Sequence, residues 1–207
     1  MHKKVLPAGS RDLLAEIERR VPRVLQGWVL AGGTALALHF GHRTSEDFDF
    51  FKTDKVDLGR LQGAVRELGP CETLQEESNT LTVLLRGVKI SFFMIRDRFV
   101  YPATPFSFFG VADVRDIALM KMVAIANRGS RKDFVDLYEI LRQGHSLQGL
   151  LELLPRKYGE GRVNDYQILK SLVFFDDAER EPLPRMLAPF NWRECKAFFL
   201  REAHALT

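Results

Sequence analysis

Two aspartates separated by one residue, Asp47 and Asp49, sit in the alternation Asp47-Phe48-Asp49-Phe50. On a β-strand successive side chains point to opposite faces, so the two carboxylates share one face and the two phenylalanines the other. Their Cα atoms would lie about 6.5–7 Å apart, close enough for both carboxylates to converge on one Mg²⁺ or to bridge two. Aspartate is a poor strand former and two adjacent like charges repel, so a divalent metal is the cheapest compensation. The plainer alternative is a solvent-facing strand whose polar face happens to be acidic. A metal held there would polarise phosphate oxygens and activate an attacking hydroxyl, the chemistry of phosphoryl and nucleotidyl transfer.

Upstream, a short apolar run over residues 28–31 breaks at Gly32-Gly33, and a helix-compatible segment follows over 34–39. A glycine turn at a helix start lets backbone N–H groups approach a phosphate, aided by the helix dipole, and Thr34 adds a hydroxyl. Simple turn chemistry is the competing explanation. Arg43, Thr44 and Ser45 precede the acidic strand. Arg43 suits a phosphate, and Ser45 suits a phosphate or the support of Asp47; a solvated polar loop accounts for them equally. Far downstream come Lys121, Arg128, Lys132, Asp133 and Asp136. Lys121 and Arg128, seven apart, share a helix face, as do Asp133 and Asp136, three apart. Lys121 lies in an apolar stretch, IALMKMVAIA, that suits a lysine reaching into a cleft. A capping Asp133 and a surface Asp136 would explain the two acids without chemistry.

These residues need elements to position them. Ser10 is expected to cap a helix carrying Leu13, Leu14, Ile17 and Val21, which Pro22 disturbs or ends. A helix over 56–68 stops at Gly69-Pro70. Residues 80–86 and 88–95 read as a hairpin around Gly87, giving four or five strands in all. Residues 100–110 are read as a Pro- and Phe-rich loop, with the boundary of an α/β half and a helical half between about 100 and 113. Beyond it, Asp113 caps a helix to about 128. Ser130 with Asp133 resembles an acidic capping box for a helix ending near Gly144. Further helices are expected over 146–158, 164–174 and 191–204.

Composition bounds the function. The 207 residues are 46% hydrophobic and 28% charged, which suits a globular chain rather than a disordered one. Thirty basic against 27 acidic residues give a net +3, which permits a nucleic-acid partner without arguing for one. Cys71 and Cys195 have no metal-ligand spacing, as expected of free thiols in a reducing compartment. His39, His42, His145 and His204 show no zinc-binding pattern. Neither a GxxxxGK[ST] loop nor a GxSxG elbow occurs. Without a signal-like segment or a run of about 20 apolar residues, a cytoplasmic protein with no membrane partner is expected. The paired phenylalanines are assigned to packing rather than base stacking.

The pieces LAGGTALAL (30–38), HRTSEDFDFF (42–51), GVKISFF (87–93) and DIALMKMVAIANRGSRKDFVDLYEIL (116–141) are spread over residues 30–141, a span of about half the chain. In this order they resemble the AbiEii/AbiGii toxin family of nucleotidyltransferases, within the polymerase-β-like superfamily. The resemblance implies an α+β fold: a mixed β-sheet nucleotidyltransferase core over residues 1–110 with flanking helices, then a C-terminal helical part over 111–207 completing the cleft. It implies Mg²⁺ or Mn²⁺ and a nucleoside triphosphate, and a toxin of a toxin–antitoxin or abortive-infection system. Such a toxin transfers a nucleotide to an RNA (tRNA) or protein acceptor and is opposed by an antitoxin protein. Carried over, Asp47 and Asp49 resemble metal ligands, and Gly32, Gly33 and Ser45 phosphate-binding positions. Lys121 resembles the triphosphate-binding lysine, and Asp133 or Asp136 the acid of the last motif. Two departures stand out: Gly-Gly replaces the usual Gly-Ser, and Ser91 occupies the place of a third carboxylate. Two other readings use the same core: a nucleotide- or RNA-binding relative without turnover, and a small-molecule nucleotidyltransferase of the antibiotic-modifying kind.

Overall fold

A computed structural model describes residues 1–206, which divide after Asp113 into two compact units, the first Met1–Asp113 and the second beginning at Val114. In the first unit, helix α1 (Ala8–Arg20) buries Leu13, Leu14 and Ile17. Ser10 does not cap it. The residue lies inside the first turn, is buried, and donates its hydroxyl to the Glu46 carbonyl at 3.1 Å. Pro22 ends the helix as expected, and a 3-10 turn over Pro22–Leu25 starts on its ring. Strand β1 (Val29–Ala31) runs directly into α2 (Gly32–Phe40), and β2 (Phe48–Lys52) follows. Helix α3 (Leu58–Arg66) is capped by Asp57, whose carboxylate accepts the Arg60 N–H at 3.1 Å.

Seven strands form one mixed sheet rather than the four or five expected. With β3 (Cys71–Glu77), β4 (Thr80–Leu85), β5 (Val88–Met94), β6 (Thr104–Phe106) and β7 (Phe109–Val111), the order is β3-β4-β5-β2-β1-β7-β6. β4 and β5 are the expected hairpin. Arg86 (φ 53°) and Gly87 (φ 81°) both take the left-handed conformation of a two-residue turn whose twist matches its strands. β3 carries no strand pattern in the sequence because it is a polar edge strand, CETLQEE, with little buried surface. β6 and β7 correct the reading of 100–110 as a loop: they are three-residue strands, and Pro105 is tolerated because β6 is the outer strand.

The centre of the sheet is β5-β2-β1. β2 runs parallel to β5 and antiparallel to β1, with Asp49 paired to Ser91 on one side and to Ala31 on the other. The phenylalanine face of β2 is core. Phe48 and Phe50 are fully buried, and Phe50 meets Phe92 at 5.9 Å and Phe109 at 5.3 Å between ring centroids. Burying one such ring contributes roughly 1.5–3 kcal/mol, which fixes the register and keeps both aspartates on the opposite face.

The second unit is helical: α4 (Val114–Arg128), α5 (Arg131–Arg142), α6 (Leu147–Leu151), α7 (Leu154–Tyr158), α8 (Asp165–Leu172), α9 (Asp176–Arg180) and α10 (Trp192–His204). The helix expected over 146–158 is two helices, because Pro155 suits a first turn and starts a new one. Ser146, Asn164 and Asn191 cap α6, α8 and α10 with side-chain oxygens. α9 lies in a stretch where no helix was expected. Phe134, Phe175, Trp192 and Phe199 pack ring to ring inside this unit, whereas Phe174 is exposed.

Candidate functional site

In the first unit, the β1–α2 junction and the N-terminal end of β2 bring Gly32 beside Asp49 and Thr34 beside Ser45 and Asp47. No residue intervenes between Ala31 and α2. Gly32 turns the chain with φ +69°, and the cap residue Ala31 has no side-chain bond to the first-turn amides. A Cβ on Gly32 would stand 3.1 Å from Asp49 Oδ2. Glycine is thus required twice here, for its backbone conformation and for the space the Asp49 carboxylate occupies. Gly33 is the second residue of α2 and half-buried. That amide-rich helix start carries partial positive charge, suited to an anion.

The segment leading into β2 is held by main-chain and hydroxyl contacts. The Ser45 N–H donates to the Val5 carbonyl at 3.1 Å, and the Glu46 carbonyl takes the Ser10 hydroxyl. Thr34, buried on α2, donates its hydroxyl to the Asp47 carbonyl, and its oxygen lies 2.7 Å from the Ser45 hydroxyl. Thr34 therefore ties the helix start to the acidic strand. Arg43 is buried at 5% exposure, with Nη1 donating to the Thr44 carbonyl at 3.0 Å.

Asp47 stands one residue ahead of β2 and Asp49 is its second residue, both half-buried. Asp47 Oδ2 lies 3.0 Å from the Lys89 ammonium on β5. Ser91, across the register from Asp49, is buried with its hydroxyl 3.3 Å from that of Thr82. Lys89 is the neighbour that sequence reasoning left without a role. The signal was present, because Lys89 shares the Ser91 face of its strand. What was missing was the parallel register that puts this face beside the aspartates.

The two carboxylates are a fitting donor set for Mg²⁺ or Mn²⁺. Mg²⁺ is commonly held by one or two carboxylates, with substrate phosphates and water completing its shell. The absence of a side chain at Gly32 leaves room for the Asp49 carboxylate beside the amide-bearing helix start. Among the described residues, no group of three or more His, Cys, Asp or Glu side chains gathers to hold a metal ion.

The second unit holds its own ionic constellation. Lys121 on α4 is 6% exposed, with Nζ 2.7 Å from Asp133 Oδ1 and 2.7 Å from Asp136 Oδ2, both carboxylates fully buried on α5. Arg128 reaches Asp133 with two nitrogens, Nε at 2.8 Å and Nη2 at 3.1 Å, in the fork geometry of a bidentate pair. Burial alone would raise the Asp133 carboxyl. The Lys121 ammonium and the Arg128 guanidinium outweigh it and hold the group below the usual carboxylate range. Asp133 does not close a capping box with Ser130, whose hydroxyl instead donates to Glu181 Oε2 at 2.7 Å. Asp136 is not a surface residue. Lys132 is exposed on α5. A second buried pair joins Lys157 Nζ to Asp116 Oδ1 at 2.8 Å. His39 accounts for itself locally through Nε2, 2.9 Å from the Ala112 carbonyl.

The family model for the nucleotidyl transferase AbiEii toxin of type IV toxin–antitoxin systems matches residues 20–205. The chain belongs to this nucleotidyltransferase family. A protein of Aquifex aeolicus (strain VF5), described only as uncharacterized, is 40% identical to this AbiEii-family chain over 185 residues, covering 86% of the chain and 87% of that protein. The fold is similar to that of JHP933 from Helicobacter pylori, with a TM-score of 0.57 at 15% identity over 100% of this chain and 93% of that one. MenT4, a nucleotidyltransferase toxin from Mycobacterium tuberculosis H37Rv, aligns with a TM-score of 0.53 at 15% identity, over 96% of this chain and 85% of that one. The two solved structures establish likeness of fold. Among the described residues no helix is long and apolar enough to cross a membrane.

Proposed function

We propose that this AbiEii-family chain is a Mg²⁺- or Mn²⁺-dependent nucleotidyltransferase that moves a nucleotide from a nucleoside triphosphate to an RNA or protein acceptor. It acts as the toxin of a toxin–antitoxin or abortive-infection pair and is opposed by an antitoxin protein. The observation that supports the reading is Asp49 on β2 beside the Gly32 turn, where an added Cβ would stand 3.1 Å from its carboxylate, with Asp47 one residue ahead of the same strand.

Asp47 and Asp49 would hold the metal ion, which supplies charge neutralisation for the phosphates and a lowered pKa for a bound hydroxyl. The amides of Gly32 and Gly33 and the hydroxyl of Ser45 bind phosphate oxygens at the helix start. Thr34 holds that turn and the acidic strand in register through the Asp47 carbonyl. Arg43 adds positive charge in the same unit. In the reaction an acceptor oxygen forms a bond to the α-phosphorus, the bond to the bridging oxygen breaks, and pyrophosphate leaves; positioning and charge stabilisation carry the rate.

In the second unit, Lys121, Arg128, Lys132, Asp133 and Asp136 are proposed as its contribution to triphosphate binding and catalysis, supported by their match to the family's DIALMKMVAIANRGSRKDFVDLYEIL segment. Lys121, Arg128 and the two acids are also cross-links within that unit, so their substitution needs a stability measurement beside the activity.

The test is purified protein with Mg²⁺, labelled nucleoside triphosphates and bulk tRNA or total protein as acceptor, with Asp47→Ala and Asp49→Ala alongside. Loss of a metal ligand is expected to lower labelling by about 100-fold or more. Equal labelling by wild type and both variants would remove the pair from the mechanism.

A further inference from the structure

Lys89 stands two residues before Ser91 on β5 and shares its face of the strand. In the parallel register, Ile90 pairs with Phe48 and Ser91 with Asp49, so one step back brings Lys89 beside Asp47. Its ammonium sits 3.0 Å from Asp47 Oδ2, with the lysine side chain 42% and the aspartate 44% exposed. The contact is open to small ions from solution. Asp47, Asp49 and Lys89 together carry a formal charge of −1. A two-metal site must balance +4, and the structure gathers no third acidic, histidine or cysteine ligand among its described residues.

We propose that Lys89 is a positioning residue that sets the metal capacity of the Asp47–Asp49 pair: its ammonium competes with a divalent cation for Asp47 and limits the pair to one such ion. This rests on the reading of Asp47 and Asp49 as metal ligands. A dication arriving at Asp47 meets a positive charge held against the same carboxylate. At about 5 Å in a water-like dielectric that repulsion corresponds to roughly a tenfold loss in affinity, less in salt. The lysine therefore sets how much metal the pair takes up and at what concentration, in addition to balancing charge.

The experiment is a Mn²⁺ titration followed by electron paramagnetic resonance of the free ion, without nucleotide, on the full chain. Wild type is expected to bind one Mn²⁺ per chain at the pair. Lys89→Met removes the competing charge and is expected to tighten that binding by about threefold to tenfold; Lys89→Gln is a second charge-removing variant. Lys89→Arg keeps the charge and is expected to stay within about twofold of wild type. Circular dichroism melts check that each variant is folded. Unchanged or weaker binding in the charge-removing variants, or two Mn²⁺ on the wild-type chain, overturns the proposal. Asp49→Asn separates it from the reading beneath it. If Asp49→Asn weakens binding at least tenfold while Lys89→Met changes nothing, only the role of Lys89 falls. If Asp49→Asn binds as wild type does, or if wild type binds no Mn²⁺, the metal-ligand reading falls and the proposal with it.

Discussion

Replacing Gly32 by alanine tests the geometry of the site through one methyl group. Two costs are expected. The first is conformational: φ at Gly32 is +69°, where an L-residue costs about 1–2 kcal/mol. The second is steric: the new Cβ would stand 3.1 Å from Asp49 Oδ2. Relaxing that to an ordinary contact of about 3.5 Å moves the carboxylate by about 0.4 Å. If a misplacement of about 1 Å costs roughly 100-fold in rate, 0.4 Å corresponds to about threefold to tenfold. Gly87→Ala is the matched control, because Gly87 has φ +81° but nothing within 4 Å of its added Cβ. Both variants should lose about 1–2 kcal/mol in a denaturant titration, a fall in Tm of roughly 2–8 °C for a chain of this size. Only Gly32→Ala should slow nucleotide transfer, measured as initial rates of labelling under conditions where both variants are folded. Equal rates for the two would show that the Asp49 carboxylate does not depend on the space beside Gly32. A stability loss at Gly87 but none at Gly32 would refute the backbone part of the reasoning.

Two further outcomes concern the helical unit. Lys121→Met leaves Asp133 and Asp136 buried without the ammonium they share, and should destabilise the chain by about 3–5 kcal/mol in urea unfolding; a loss under about 1 kcal/mol would mean the two acids are solvated. The Asp133 carboxyl is held below its usual range in the folded chain. Its contribution to stability is therefore present above the unfolded value of about 3.9 and is lost as pH falls through the folded value. The stability gap between wild type and Asp133→Asn should be widest near neutral pH and narrow below about pH 4, read from denaturant midpoints across pH. A gap that stays constant with pH would contradict the assignment.

Local pattern carried much of the first unit. The alternation Asp47-Phe48-Asp49-Phe50 put two rings in the core and two acids on the other face, because a strand has a period of two and only one of its faces can be dry. The Arg86-Gly87 hairpin and the Gly32-Gly33 break were legible for a similar reason: few residues tolerate the backbone these turns demand. The edge strands β3 and β6, and the short β7 beside β6, left no such mark. β3 is polar along most of its length, and β6 and β7 are three residues each, so neither shows a period. In the second unit, Ser130 and Asp133 had the spacing of a capping box, yet the serine hydroxyl goes to Glu181, 51 residues on, and the aspartate to Lys121 and Arg128. Spacing shows that two groups can meet but not which partner wins when a buried charge is at stake.

The sequence by itself determined the family and the alternation of two acids with two core phenylalanines, since these depend on residue type and on contacts within a few positions. Partnership was decided by the tertiary structure. Asp49 faces the gap at Gly32 because β1 and β2 are adjacent and antiparallel. Lys89 faces Asp47 because β5 lies parallel to β2 in one register and no other. Lys121 is neutralised because α4 and α5 present an ammonium and two carboxylates to one another away from water. Charge interactions fall with distance through space and are strengthened where solvent is excluded. Neither quantity is written along the chain; both are set by the strand register and the helix packing.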